Sequence, residues 1–179
     1  MVVSKNSPFA ILIYMDIGSH GLWGGIAFGR RSRRSFWTAF VFGALPDFIP
    51  FAPFVIHQAL QAEGIFNFGP HIAGALPGYV YEAYSVTHSL VVFAFVYGIV
   101  RAIRGRPVRE MRAWGLHVLM DIPFHSKAVF PTPFLWPLSD YSFDGVLWST
   151  PVIFIPNIIL LLCLYIRYYY VSNKEDDSH

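Results

Sequence analysis

Seven ionisable residues stand inside apolar stretches where a lipid-facing helix carries none: Asp16, His20, Asp47, His88, His117, Asp121 and His125. A charged side chain at bilayer depth costs at least about 2.5–3.5 kcal/mol, so such groups face a protein interior and pair with one another. Imidazoles mixed with carboxylates, and no thiolate among them, are a donor set for zinc, manganese or iron. The sharpest pattern is His117-x-x-x-Asp121-x-x-x-His125. Residues four apart on a helix share a face, about 6 Å from one another. The two histidines are then about 12 Å apart along the axis at helical rise. One ion cannot easily take both. Either two ions share Asp121, or one histidine is a ligand and the other carries a proton or supports a ligand by hydrogen bonding. Asp16-x-x-x-His20 repeats the spacing in the first stretch. Asp47 lies between Pro46 and Pro50, which loosen a helix in a way tolerated where backbone lines a protein cavity. His88 sits between Thr87 and Ser89, with Glu82 one to two turns outward.

The elements that must position these groups are five apolar stretches, at about residues 8–28, 36–60, 79–103, 113–130 and 146–169. Each is near the roughly 20 residues that cross a hydrocarbon core. The apolar fraction is 55% and the charged fraction 13%, against roughly 25% charged in a soluble chain. The expected fold is therefore an all-α, multi-pass transmembrane bundle of about five spans. It forms a single integral membrane domain over 1–171, followed by a disordered polar tail over 172–179.

Arg30, Arg31, Arg33 and Arg34 fall between stretches one and two, and Arg101, Arg104, Arg106, Arg109 and Arg112 between three and four. Arg167 and Lys174 follow stretch five, so one side holds eleven of the thirteen basic residues. The positive-inside rule makes that side cytoplasmic, with the N-terminus outside and the C-terminus inside. In this arrangement His20, Asp47, His88 and Asp121 each lie within about three residues, or about 4.5 Å, of the centre of their stretch. Four polar residues from four helices reach one depth, which predicts one shared site.

A lone buried histidine is ordinarily a hydrogen-bonded core residue, and one His–Asp pair can be a neutral interhelical bond. Seven such groups together demand more pairing than that. His57 reads as interfacial, His71 as a loop residue and His179 as part of the tail. The loop 131–145 carries the Trp, Tyr and Phe residues of an interfacial belt, or of a rim over the site. Cys163 is the only cysteine, which excludes an intramolecular disulfide, and it reads as a small hydrophobe. No nucleic-acid motif is present, and the arginine clusters suit anionic lipid.

The chain also resembles the YdjM-like family of membrane-bound, metal-dependent hydrolases. The resemblance rests on His20, Gly43-Ala44-Leu45-Pro46-Asp47, Thr87-His88-Ser89, His117 with Asp121, and the run Pro133 to Ser139. It implies hydrolase activity and a prokaryotic inner membrane. Where family members carry a second acid after Asp47, this chain has Phe48 and Ile49.

The expected function is a membrane-bound metal-dependent hydrolase. His20, Asp47, His88, His117 and Asp121 are the candidate ligands for one or two divalent ions, zinc before manganese or iron. Such an ion polarises a carbonyl or phosphoryl group and brings the pKa of its water to about 7. Asp16, Glu82 and His125 are candidate general acids or bases, and Ser89 a candidate donor to the developing oxyanion. The depth of the site favours membrane lipid or another lipid-like, amphipathic ester, amide or phosphoester as substrate. Two other readings stand beside it. One is an ion or proton transporter using the same cluster, which a homo-oligomer would make easier to build because five spans show no repeat. The other is a regulatory membrane protein with a degenerate site.

Overall fold

The computed structural model describes residues 8–60, 76–128 and 130–176, with side chains over 17–57, 76–128 and 130–169. The chain is all-helical, with no strand among the described residues. The helices are α1 (Pro8–Phe28), α2 (Arg33–Leu60), α3 (Gly78–Thr87), α4 (Leu90–Arg104), α5 (Arg112–Phe124) and α6 (Pro151–Asp176). They fall into two compact units, Met1–Val146 and Leu147–His179. The second is α6, which opens on Pro151, where a missing N–H costs nothing. Its helix runs to Asp176, into the stretch expected as polar tail.

In the first unit α2 lies along α1, and α5 lies against both. Glycine permits this closeness. A Cβ on Gly43 would stand 2.5 Å from the carbonyl oxygen of His20, and one on Gly24 would stand 2.7 Å from that of Ala39 and 2.8 Å from Ala113 Cβ. Small residues that let backbones touch are the usual means of packing helices where lipid replaces water. The contact sets His20 of α1 beside the turn of α2 that precedes Asp47.

Three prolines, Pro46, Pro50 and Pro53, lie inside α2. Each removes an N–H and strands the carbonyl four residues earlier. The carbonyl stranded by Pro50 is that of Pro46, and the Thr87 hydroxyl donates to it at 2.9 Å. Thr87 closes α3, which packs on α2.

The expected third span is interrupted at His88 and Ser89, where the axes of α3 and α4 bend by 58°. Ser89 caps α4 by accepting from the amides of Val91 and Val92, both at 3.1 Å. Its own hydroxyl donates to the Trp136 carbonyl. The Leu90 amide donates to Phe134 O at 2.9 Å, and Trp114 Nε1 donates to Thr87 O at 2.6 Å. The groups freed by the break are thus taken up by the 134–136 loop and by α5. At its far end α4 stops on Gly105, at φ 65°, a conformation glycine adopts without strain.

The expected fourth span is shorter than a membrane crossing. α5 has 13 residues, about 20 Å at helical rise against a hydrocarbon core of about 30 Å. Pro123 and the extended His125 end it. The carbonyls left at that end, Pro123 O and His125 O, accept from the Val146 and Gly145 amides at 3.0 and 2.9 Å. Val146 therefore pairs with α5, and the last helix begins at Pro151.

Among the described residues, two helical segments, Arg33–His57 and Pro151–Tyr169, are long and apolar enough to cross a membrane, and the bent α3–α4 pair makes a third if it counts as one span. At the end of the bundle that carries the α1–α2 and α4–α5 connections, the Ser35 hydroxyl donates to Glu110 at 2.5 Å. That bond, with Arg31 and Arg109 nearby, holds the Glu110 carboxyl below the usual carboxylate range.

Candidate metal centre

Four helical segments converge on one buried point. α2 supplies Asp47, the α3–α4 break supplies His88, α5 supplies His117 and Asp121, and α1 supplies His20. All five are buried, with relative exposures between 0 and 7%.

The tautomers follow from the neighbours. His117 Nδ1 lies 2.7 Å from the carbonyl oxygen of Gly43. A carbonyl only accepts, so Nδ1 carries the proton. His88 Nδ1 lies 3.1 Å from Tyr84 O and 3.0 Å from Thr87 Oγ1, and the same argument protonates it. Both Nε2 atoms therefore turn their lone pairs inward, and they stand 3.0 Å apart. Asp47 Oδ1 faces them at 3.1 Å from His88 and 3.6 Å from His117. Asp121 Oδ2 faces them at 3.3 and 3.1 Å. Four acceptors thus surround one point, and all four donor atoms for a cation lie within 4.8 Å of one another.

Lone pairs and carboxylates do not collect in a buried space without positive charge among them. Protons alone would have to sit between these acceptors, as neutral carboxyls or as one imidazolium donating to the other Nε2 at 3.0 Å. One divalent ion satisfies all four atoms and cancels the charge of both carboxylates. A tetrahedral ion with ligands at about 2.0–2.1 Å has neighbouring ligands about 3.3–3.4 Å apart. The five edges given above, from 3.0 to 3.6 Å, bracket that value. Asp47, His88, His117 and Asp121 therefore form a group that could hold a metal ion.

The other expected site residues take different places. His20 stands behind the carboxylates: its Nε2 is 3.1 Å from Asp121 Oδ1 and its Nδ1 3.6 Å from Asp47 Oδ2. Its ring packs 4.0 Å from that of His117. It touches the outer oxygens, while the inner ones face His88 and His117. His125 is half-buried, with Nδ1 3.6 Å from Asp121 Oδ1 and 3.2 Å from the Asp121 carbonyl. Ser89 is buried beside His88, but its hydroxyl is engaged by the α4 cap and the Trp136 carbonyl. Glu82 and His57 are exposed. The Asp16 side chain, His71 and His179 lie outside the described residues.

Sequence reasoning named Gly43 only within the Gly43–Asp47 run and assigned Tyr84 no role, yet their carbonyls orient the two rings, and Tyr84 also stacks on His88 at 3.6 Å between centroids. The Gly43–Asp47 run was the available signal for Gly43, while the proline-loosened α2 points to Pro46 and Thr87 more than to Tyr84. The Tyr84 ring in turn meets Phe130 edge-on at 4.3 Å, and Phe130 lies 5.8 Å from Phe51 and 5.3 Å from Tyr81. Aromatic side chains thus cover the His88 side of the cluster. No protein family, characterised protein or solved structure matches the chain.

Proposed function

We propose that the protein is a membrane-bound, metal-dependent hydrolase with Asp47, His88, His117 and Asp121 as the ligands of one divalent ion. The supporting observation is the convergence of two Nε2 lone pairs, each fixed by a carbonyl behind it, on two inner carboxylate oxygens. The ion, when bound, supplies Lewis acidity and an acidified water. Four protein donors fill a tetrahedral shell, so the reading calls for an ion that accepts a further ligand. Zinc expands to five, and manganese and iron suit the same nitrogen and oxygen donors.

The chain's own residues divide the remaining work. His20 orients both carboxylates from behind. Of Glu82, which is exposed, and His125, His125 has the better position for moving a proton. It touches the outer oxygen of Asp121 and is partly exposed, whereas the ligands are sealed. Ser89 holds the helix break that presents His88, in place of the oxyanion role expected for it. Burial among apolar helices favours a lipid-like or amphipathic ester, amide or phosphoester. The resemblance to YdjM-like hydrolases points the same way, and the reading carries with it a multi-pass inner-membrane location with the arginine-rich end cytoplasmic.

A second reading, proton or ion transport, draws on one observation. His125, Asp121, His20 and Asp47 form an unbroken series of titratable contacts of 3.1–3.6 Å. Metal content measured by mass spectrometry on detergent-purified protein separates the readings. One equivalent of a single transition metal in the wild type, absent from folded Asp121→Ala, is the expected result, followed by a screen for lipid hydrolysis. A folded wild type that neither retains nor takes up metal would overturn the metallohydrolase and leave proton coupling.

A further inference from the structure

We propose that Thr87 is a positioning residue for the metal centre, its one hydroxyl setting His88 and Asp47 in register. The inference rests on the metal reading above and adds a residue that the ligand set does not contain.

The Thr87 hydroxyl has one proton and three carbonyls within reach: Pro46 O at 2.9 Å, Ala83 O at 3.0 Å and Tyr84 O at 3.3 Å. Tyr84 O already accepts the His88 amide at 2.8 Å. Ala83 O is four residues before Thr87 and within reach of the ordinary helical amide bond. Pro46 O has no such donor, because residue 50 is proline. The proton therefore goes to Pro46 O, which is also the nearest of the three. With that proton directed away, the Oγ1 lone pair is turned to His88 Nδ1 at 3.0 Å, which must donate because Tyr84 O stands beside it.

The result is a continuous run from the His88 Nδ1–H through the Thr87 Oγ1–H to the Pro46 carbonyl. Pro46 immediately precedes Asp47, so the run joins a ligand on the α3–α4 break to a ligand on α2 by a path outside the ion. It is buried throughout: Thr87 is 5% and His88 0% exposed. With the Tyr84 carbonyl it holds the tautomer that leaves His88 Nε2 bare, and it holds the spacing between that atom and Asp47 Oδ1. Partners behind metal-bound histidines typically change affinity by 10–100-fold when removed. Valine at position 87 keeps the branched shape and removes the hydroxyl, whereas serine keeps the hydroxyl and loses the methyl.

The test is zinc(II) and cobalt(II) binding to the full-length protein in detergent, by competition with a chromophoric chelator. Wild type, Thr87→Val, Thr87→Ser and Asp121→Ala are compared, with a thermal melt of each metal-free protein. The expected result is one site in the wild type, affinity about 10- to 100-fold weaker in Thr87→Val, recovery in Thr87→Ser, and no site in Asp121→Ala. A packing role alone would lower the metal-free melt of Thr87→Val and leave the affinity of the folded protein unchanged, which overturns the proposal. Wild-type affinity in Thr87→Val overturns it too, and so does failure of serine to restore binding. If the wild type itself binds neither ion, the metal reading has failed, and Thr87 falls with it for a separately visible reason.

Discussion

Asp121 has different partners on its two oxygens: His117 and His88 on the inner one, His20 and His125 on the outer. A carboxylate so divided can bind an ion with one oxygen while histidines hold the other, the usual way ligand direction is kept. His20 and the four inner residues should then respond differently to substitution. His20→Ala is expected to weaken zinc binding by about 10–100-fold and keep a stoichiometry of one. Asp121→Ala, which removes a ligand and the charge that balances the ion, is expected to lose the site. Isothermal titration of both variants distinguishes them. Loss of the site in His20→Ala, with the fold intact, would place His20 among the ligands and remove the division into inner and outer partners. At this scale the spacing of His117, Asp121 and His125 was legible in the sequence, because a helical period needs only a helix to act. Which oxygen meets which ring was not, since it depends on rotations set by the Gly43 carbonyl on another helix and by the Tyr84 carbonyl one turn before His88.

Helices bring these groups together by close approach of backbone. At Gly43 a Cβ would meet the His20 carbonyl oxygen at 2.5 Å, and that neighbour is main chain, unable to swing aside. Gly43→Ala should force α1 and α2 apart and pull His20 away from the carboxylates. The expected cost is about 1–3 kcal/mol, the usual range for overpacking, seen as a lowered melting temperature in detergent. Gly18→Ala, where the same Cβ would meet nothing within 4 Å, should melt as the wild type does. Equal melting of the two variants would remove the close-packing argument. The α3–α4 break was not legible: the apolar stretch 79–103 reads as one span, and Thr87-His88-Ser89 enters as a motif only through the family resemblance. The physical cause of the break is tertiary: Ser89, Leu90 and Thr87 find partners in the 134–136 loop and in Trp114, and without these the unpaired groups would favour a continuous helix.

For the whole molecule, the orientation proposed from the positive-inside rule puts the arginine-rich connections on one side of the membrane and the aromatic 131–145 loop on the other. With Cys163→Ala as background, a cysteine at Ser32 should react with an impermeant maleimide only from the cytoplasmic side. One at Asp140 should react only from the outside. Labelling of both from the same side would overturn the proposed orientation. α5 is too short for a simple crossing, yet it carries half of the inner ligands. A helix of that length, covered by α1, α2 and α4, fits the role of bundle interior better than that of lipid-facing span. Window-based apolarity cannot see this, because a buried helix and a membrane helix are equally apolar.

Composition and period alone pointed to a helical chain, to helices of membrane-crossing character among its elements, and to one shared depth for His20, Asp47, His88 and Asp121. These are local properties: burial selects residue type, and the helical repeat selects the face. Only the tertiary structure decided which of the histidines surround the point where an ion fits, that His20 stands behind the carboxylates, and that α5 ends at Phe124. Those outcomes depend on hydrogen bonds between segments far apart in sequence. His117 to Gly43 and Thr87 to Pro46 are examples, and their partners are backbone carbonyls that every residue type possesses and no sequence pattern marks.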